Sequence, residues 1–277
     1  MAGVPMCSFP SEEAFCGLCG YAGAFLPVFP GASLRETRCP VCAASRRTRD
    51  MARALLVRCA GDLSRPLEAQ LSLLRFLSVY ELQAQGPLHD RLAVLPSYVC
   101  SEFYPDVAPG SITDDGVLCQ DAERLTFPDA SFDLVISQDI MEHLADPWSG
   151  FSEIQRTLRP GGTHLCTFPV HEGHATRQRA VKRGTTIKNL LPPVHHKDPL
   201  NAEGALVFWD FGEDLPEALL QYGISAEPIM YTPFYLPEDI CSLDTASAYA
   251  RYLEARENNS IVSLFLYNSI VFACGRA

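Results

Sequence analysis

Residues 116–169 read GVLCQDAERLTFPDASFDLVISQDIMEHLADPWSGFSEIQRTLRPGGTHLCTFP, and the fold is decided there. Residues 117–119 are a short apolar run ending at Gln120-Asp121, and residues 132–137 (FDLVIS) are a second, ending at Gln138-Asp139. Asp146-Pro147 then opens a helix, because Asp suits the N-cap and Pro the first helical position. Trp148, Phe151, Ile154 and Leu158 follow at helical spacing. Arg159-Pro160-Gly161-Gly162 is expected to end the helix before a third run, residues 163–168. Strand, strand, helix, strand, each strand short and largely apolar, predicts a buried parallel sheet with helical crossovers. Polar residues collect just past the strand ends, where open α/β sheets bind ligands.

Working outward, residues 76–81 (FLSVYE) read as a strand ending in an acid, residues 82–86 as a loop and residues 87–95 as a short helix. Residues 98–104 (YVCSEFY) read as a second strand, with Glu102 near its end. Glu81 and Glu102 are 21 positions apart, about one βαβ step. An acid about 20 residues beyond the first turn of a nucleotide-binding unit is placed to accept from ribose hydroxyls. Beyond the central stretch, residues 205–208 read as a strand, residues 214–222 as a helix closed by Gly223, and residues 224–231 as a strand. Residues 242–257 look helical, and residues 261–273 supply a last strand or hairpin.

Composition bounds the function. The chain has 277 residues, of which 47% are hydrophobic, enough for one large domain plus a small one. A net charge of −11 weighs against a nucleic-acid surface as the main business. The N-terminus has no basic region followed by an apolar core, and no apolar stretch is long enough to span a bilayer. Eleven cysteines, an odd number, argue against a disulfide framework and for a reducing compartment, so a cytoplasmic location is expected.

Four of the cysteines form two CxxC pairs, Cys16/Cys19 and Cys39/Cys42, with nineteen residues between the pairs. This matches the zinc template of two CxxC pairs about 15–20 residues apart. Zinc takes four thiolates in a tetrahedron, and each tight CxxC turn delivers two of them. Structural zinc contributes roughly 10–16 kcal/mol of apparent binding energy in small modules, so a piece this size could fold only with its metal. The competing reading is a redox pair, which wants a single CxxC at a helix start inside a βαβ pattern. The module could be a clasp or lid, or a docking element. Arg46, Arg47, Arg49 and Arg53, just after the second knuckle, read as a phosphate-binding patch or as one solvated face of a helix, and the acidic whole favours the solvated face. Residues 44–75 read as helical, broken in two near Gly61-Asp62 and Pro66.

The string DAERLTFPDASFDLVISQDIMEHLADPWSGFSEIQRTLRPGG resembles the class I S-adenosylmethionine-dependent methyltransferases of type 11, from their third strand to the turn before the fifth. The resemblance implies a Rossmann-like α/β fold with S-adenosylmethionine as cofactor. It implies roles for Glu81, where the family's acid orders the glycine loop and meets the methionine amino group, and for Glu102, the ribose-binding acid. Asp121 matches the carboxylate facing the adenine amino group, with the backbone of Ala122 beside it. Gln138 and Asp139 would lie beside the transferring methyl. The family's glycine-rich first motif is altered here to Glu81-Leu82-Gln83-Ala84-Gln85-Gly86-Pro87, so Gln83 and Gly86 take its place.

The organisation expected is therefore a treble-clef or ribbon-like zinc module over 1–45, a helical linker over 46–75 and a Rossmann-like methyltransferase domain over 76–277. Residues 171–204 form an insertion expected to cover the substrate, with Arg177, Arg179, Lys182 and Arg183 able to hold an anionic group. His143, His195 and His196 are the candidates for moving a substrate proton, since histidine titrates near neutrality. The methyl acceptor expected is a small molecule. Two alternatives stay open: a non-catalytic interaction protein that docks through its zinc module, which the altered glycine loop favours, and RNA methylation, which the charge disfavours.

Overall fold

The computed structural model describes residues 15–27, 37–171, 175–198, 201–212, 214–229 and 270–277. The helix expected over 242–257 lies outside the described residues, as does most of the apolar run over 261–273. The chain divides into two compact units; the second comprises Arg75–Glu227 and Phe272–Ala277, and the described residues up to Leu74 belong to the first. No helix among the described residues is long and apolar enough to cross a membrane.

In the first unit, two cysteine knuckles flank a short antiparallel pair, Leu26–Pro27 with Thr37–Arg38. Helix α1 (Arg46–Arg58) starts where the Ser45 side chain accepts from Thr48 N. It buries Met51, Leu55 and Leu56 completely. After the break at Gly61, a 3-10 stretch (Leu67–Leu73) returns to the first knuckle, donating from Leu67 N to Gly17 O and from Glu68 N to Leu18 O.

Three of the four arginines expected on a solvated face of α1 are buried instead, and Arg47 is half-buried. Arg46, Arg49 and Arg53 are 2%, 0% and 4% exposed. Arg46 pairs with Asp50 at 3.1 Å. Arg49 donates to Thr37 O, Ala44 O and Thr37 Oγ1, with its guanidinium 3.9 Å from the centre of the Phe25 ring. Arg53 donates to Phe15 O. A helical charge pattern looks solvated in sequence, but a planar guanidinium can be buried when carbonyls and an aromatic face receive it.

The second unit is built on a twisted sheet. Its strands are β1 (Val79–Glu81), β2 (Tyr98–Cys100), β3 (Phe132–Gln138), β4 (Leu158–Thr167), β5 (Ile224–Ile229) and β6 (Val271–Arg276). Their spatial order is β5-β6-β4-β3-β1-β2. Strands β2, β1, β3 and β4 are mutually parallel, and β6 runs antiparallel to β4, with Phe272 opposite Cys166. Six of the seven residues of β3 are buried, as expected for a central strand covered on both faces. The crossovers are α2 (Pro87–Leu92) and α3 (Pro147–Thr157), and α4 (Leu215–Leu220) precedes β5. Asp146 caps α3 as its sequence predicts, accepting from Ser149 N, with Pro147 at the first position.

Two expectations are corrected. Residues 117–119 do not form a strand. Gly116, at φ +81°, folds them back on residues 111–113, and only Cys119 makes a parallel bridge, to Glu102. A run of three residues that can close a local antiparallel turn satisfies its backbone there first. The Arg159-Pro160-Gly161-Gly162 segment is not a turn outside the sheet. It is a bulge inside β4, between the pairs Phe132–Leu158 and Leu134–Thr163, with Gly161 at φ +79°.

Candidate active site at the switch of strand order

From β1 the chain crosses to β2 on one side, then back over β1 to β3 on the other. Ligands of open α/β sheets bind at the carboxyl ends of the strands where the order reverses in this way. Glu81 ends β1 and lies in register with Cys100 of β2 and Ile136 of β3. Glu102 and Gln138 lie two residues further along, on either side of it.

Glu81 is 1% exposed and accepts from Tyr98 Oη at 2.7 Å. His89 Nδ1 lies 2.9 Å from the same hydroxyl, which makes a chain His89–Tyr98–Glu81. Burial pushes the Glu81 carboxyl up to about 8, against the pull of the Tyr98 hydrogen bond, with the Glu102 charge adding to the rise. Glu102 is also raised, chiefly by burial; the Ala84 N–H, 3.0 Å from its Oε1, and Gln85 act the other way. That bond ties the loop after β1 to the end of β2. In the loop Gly86 adopts φ +103° with open space where a Cβ would stand. Gln138 Nε2 reaches Gln83 Oε1 at 3.4 Å across the crevice, while Gln138 Oε1 is buried without a hydrogen-bond partner.

Gln120 fixes the turn that carries Asp121, bonding Thr126 through both ends of its amide. Asp121 Oδ1 accepts from Glu123 N, and Ala122 is buried next to it. Past β3, Asp139 sits in the left-handed region at φ +53°, held by Thr167: its N–H donates to Thr167 O, and its Oδ1 accepts from Thr167 Oγ1.

A 3-10 turn, Met141–His143, follows. His143 Nδ1 donates to Leu206 O at 2.8 Å, and Phe208 N donates to Glu142 O at 2.9 Å, so residues 205–208 clasp this turn. The hairpin His195–His196 with Ala205–Leu206 brings His196 to the same place. His143 Nε2 and His196 Nδ1 lie 3.6 and 3.5 Å from Glu142 Oε1. The structure thus gathers two of the three candidate histidines, while His195 is exposed. Arg177 and Arg179, offered as anion holders, bind the buried Asp210 at 2.9 and 2.6 Å. Sequence reasoning missed Tyr98, which carried no signal, and Glu142, whose only signal was its place beside His143.

In the first unit the four Sγ atoms of Cys16, Cys19, Cys39 and Cys42 lie within 4.8 Å of one another, with Cys16–Cys42 and Cys19–Cys39 each at 3.7 Å. These distances rule out disulfides. They match the separation of about 3.8 Å that four tetrahedral Zn–S bonds of about 2.3 Å impose. Gly20, at φ +82°, makes the first knuckle's turn.

Residues 97–166 match the family model of the methyltransferase domain. An uncharacterized methyltransferase of Mycobacterium sp. (strain KMS) is 31% identical over 88 residues, 30% of this chain and 35% of the relative. The 27-O-demethylrifamycin SV methyltransferase of Amycolatopsis mediterranei (strain S699) is 43% identical over 51 residues, 18% of this chain and 19% of the relative. The chain therefore spans about a third or less of the length of these curated relatives. Among solved structures, an S-adenosylmethionine-dependent methyltransferase from Mesorhizobium loti aligns with 73% of this chain and 91% of its own, at 16% identity and a TM-score of 0.39. The family match takes in β2, the turn at Asp121, all of β3 and most of β4, so this stretch of the sheet unit is similar to a methyltransferase domain.

Proposed function

We infer that this domain transfers a methyl group from S-adenosylmethionine to a small-molecule acceptor. The observation that carries this reading is that the family match covers one wall of the crevice: Glu102, Asp121, Ala122 and Gln138 all fall within residues 97–166. The residues also fit a cationic cofactor in a way independent of that match. The buried Gln138 Oε1 lacks a partner, and Glu81 is a buried acid held above its ordinary range. A positively charged ligand would answer both.

The cofactor would supply a methyl group already activated on a sulfonium, which leaves the protein mainly to align donor and acceptor. Glu81 would receive the amino group, and Gln83 and Gly86 would form the floor of the loop. Glu102 would accept from the ribose hydroxyls while its Oε1 holds Ala84 N. Asp121, with the backbone of Ala122, would face the adenine, and Gln138 would border the methyl. His143 and His196, gathered round Glu142, are the groups placed to handle an acceptor. Residues 171–204 would cover it. A small-molecule acceptor is supported by the charge of −11 and by the rifamycin substrate named for one relative. In the first unit, Cys16, Cys19, Cys39 and Cys42 would hold a structural zinc.

A second reading, an interaction protein without turnover, draws on one observation: Gln83 and Gln85 stand where the family's loop has glycines. Thermal unfolding with S-adenosylhomocysteine separates the two. At 100 times its dissociation constant the ligand should stabilise the chain by about 2.7 kcal/mol, and Glu102→Ala should remove the shift. No shift at millimolar ligand would leave the interaction reading standing.

A further inference from the structure

We propose that Glu142, His143 and His196 form a second metal site, one that binds a divalent cation of borderline softness such as zinc, cobalt or iron through two imidazoles and one carboxylate. One ligand atom from each residue lies within 4.8 Å of the other two. Glu142 Oε1 stands 3.6 Å from His143 Nε2 and 3.5 Å from His196 Nδ1. Metal bonds of about 2.0–2.1 Å at tetrahedral angles place neighbouring ligand atoms about 3.4 Å apart, so the triad closes on a cation with little movement.

Two further observations point to a ligand. Glu142 is 1% exposed, and neither carboxylate oxygen has a hydrogen-bond partner. A buried carboxylate left in this way is costly unless a cation or donor meets it, so the carboxylate favours positive charge beside it. His143 also has its tautomer set. Its Nδ1–H donates to Leu206 O, which turns the Nε2 lone pair toward Glu142. Donation of the far ring N–H to a backbone carbonyl is the arrangement that orients histidine ligands in metal sites. The two imidazoles meet edge to face, at 88° and 5.0 Å between centroids, so each can aim a nitrogen at one point without stacking.

Three protein ligands leave at least one position open, as in catalytic rather than structural sites. The class of ligand for that position is water or an oxygen of a small molecule. If the methyl-transfer reading holds, an acceptor hydroxyl bound there would lose its proton more easily, which is how a metal makes an oxygen nucleophilic near neutral pH. Metal binding itself does not depend on that reading.

The test uses the full chain. Protein purified with zinc is dialysed against a mild chelator until one zinc per chain remains, then titrated with Co2+ and followed by visible absorption and metal analysis. The proposal expects one equivalent of cobalt with ligand-field bands and no thiolate-to-cobalt charge transfer. Glu142→Gln and His196→Ala should each weaken that uptake at least tenfold, with the remaining zinc unchanged. His196 is half-exposed on its hairpin, so His196→Ala tests the site even if the buried Glu142→Gln fails to fold, and added imidazole should restore its cobalt binding. Thiolate charge transfer alone would mean that cobalt entered the cysteine cluster. That result, or uptake by the variants equal to wild type, would overturn the proposal.

Discussion

Buried polar groups packed around the cysteine cluster and those at the strand ends are met in different ways. In the cysteine unit, Arg46 and Arg49 are buried with partners in place: an aspartate for one, two carbonyls, a hydroxyl and an aromatic face for the other. In the sheet unit, the strand ends hold a buried acid pushed upward at Glu81, an unpartnered amide oxygen at Gln138 and two unpartnered carboxylate oxygens at Glu142. A satisfied network rigidifies and specifies a fold, whereas an unsatisfied one costs stability that only a ligand can return. The contrast separates the part of the chain that reads as structure from the part that reads as function.

The strongest way to break the contrast is to remove metal from the cysteine unit. Complete chelation, or Cys39→Ser, should unfold residues 15–74, because the thiolate site is worth on the order of 10 kcal/mol to a module this small. Limited proteolysis within that segment, alongside metal analysis, reads the outcome; a stripped chain that stays resistant would contradict it. Next in size is Arg49→Met, which removes three charge-assisted hydrogen bonds, to Thr37 O, Thr37 Oγ1 and Ala44 O. It should cost about 2–4 kcal/mol in denaturant unfolding of the first unit. A cost under about 0.5 kcal/mol would show that the metal alone holds the unit.

An effect spread over pH lies on the sheet side, at Glu81→Gln. Because the folded carboxyl is raised from 4.5 to about 8, the folded state binds more protons than the unfolded one between those values. Wild-type stability from this group is therefore full below about 4.5 and is lost as pH rises toward 8, by up to about 1.4 kcal/mol per pH unit. Glutamine does not titrate, so the stability of Glu81→Gln relative to wild type should climb from pH 5 to 8 while S-adenosylhomocysteine binding falls. Equal pH slopes for the two proteins would remove Glu81 from the set of uncompensated groups.

How much of this was legible in sequence follows the range of the forces involved. The cysteine knuckles were legible because two residues per tight turn fix two ligands locally, and the nineteen-residue gap only has to let the turns meet. Asp146-Pro147 was legible for the same reason, since a cap is set within one turn. The pairing of β1 with β2 was legible because Glu81 and Glu102 are one βαβ step apart, whereas the switch in strand order was not, because it depends on where β3 inserts. The triad was not legible, because His196 reaches Glu142 only when a hairpin in the insertion folds back on the turn after β3. Nor was the fate of the arginines, since a charge pattern carries no trace of Phe25 or of the carbonyls of Thr37 and Ala44. Residues 117–119 were misread because pattern alone cannot weigh a sheet edge against the local turn at Gly116.

The bulge in β4 has a consequence for how this domain can change in length. Between Leu158 and Thr163 the strand spends five steps where β3 spends two, and from Thr163 onward the pairing is regular through Gln138 and Thr167. The surplus lies upstream, around Gly161, where the backbone already departs from the ladder. A residue gained or lost there can be absorbed as slack, whereas the same change after Thr163 would turn every later side chain to the opposite face. The bulge is thus a length buffer: α3 and its connection are free to drift while Thr167 stays opposite Gln138 and keeps its hold on Asp139.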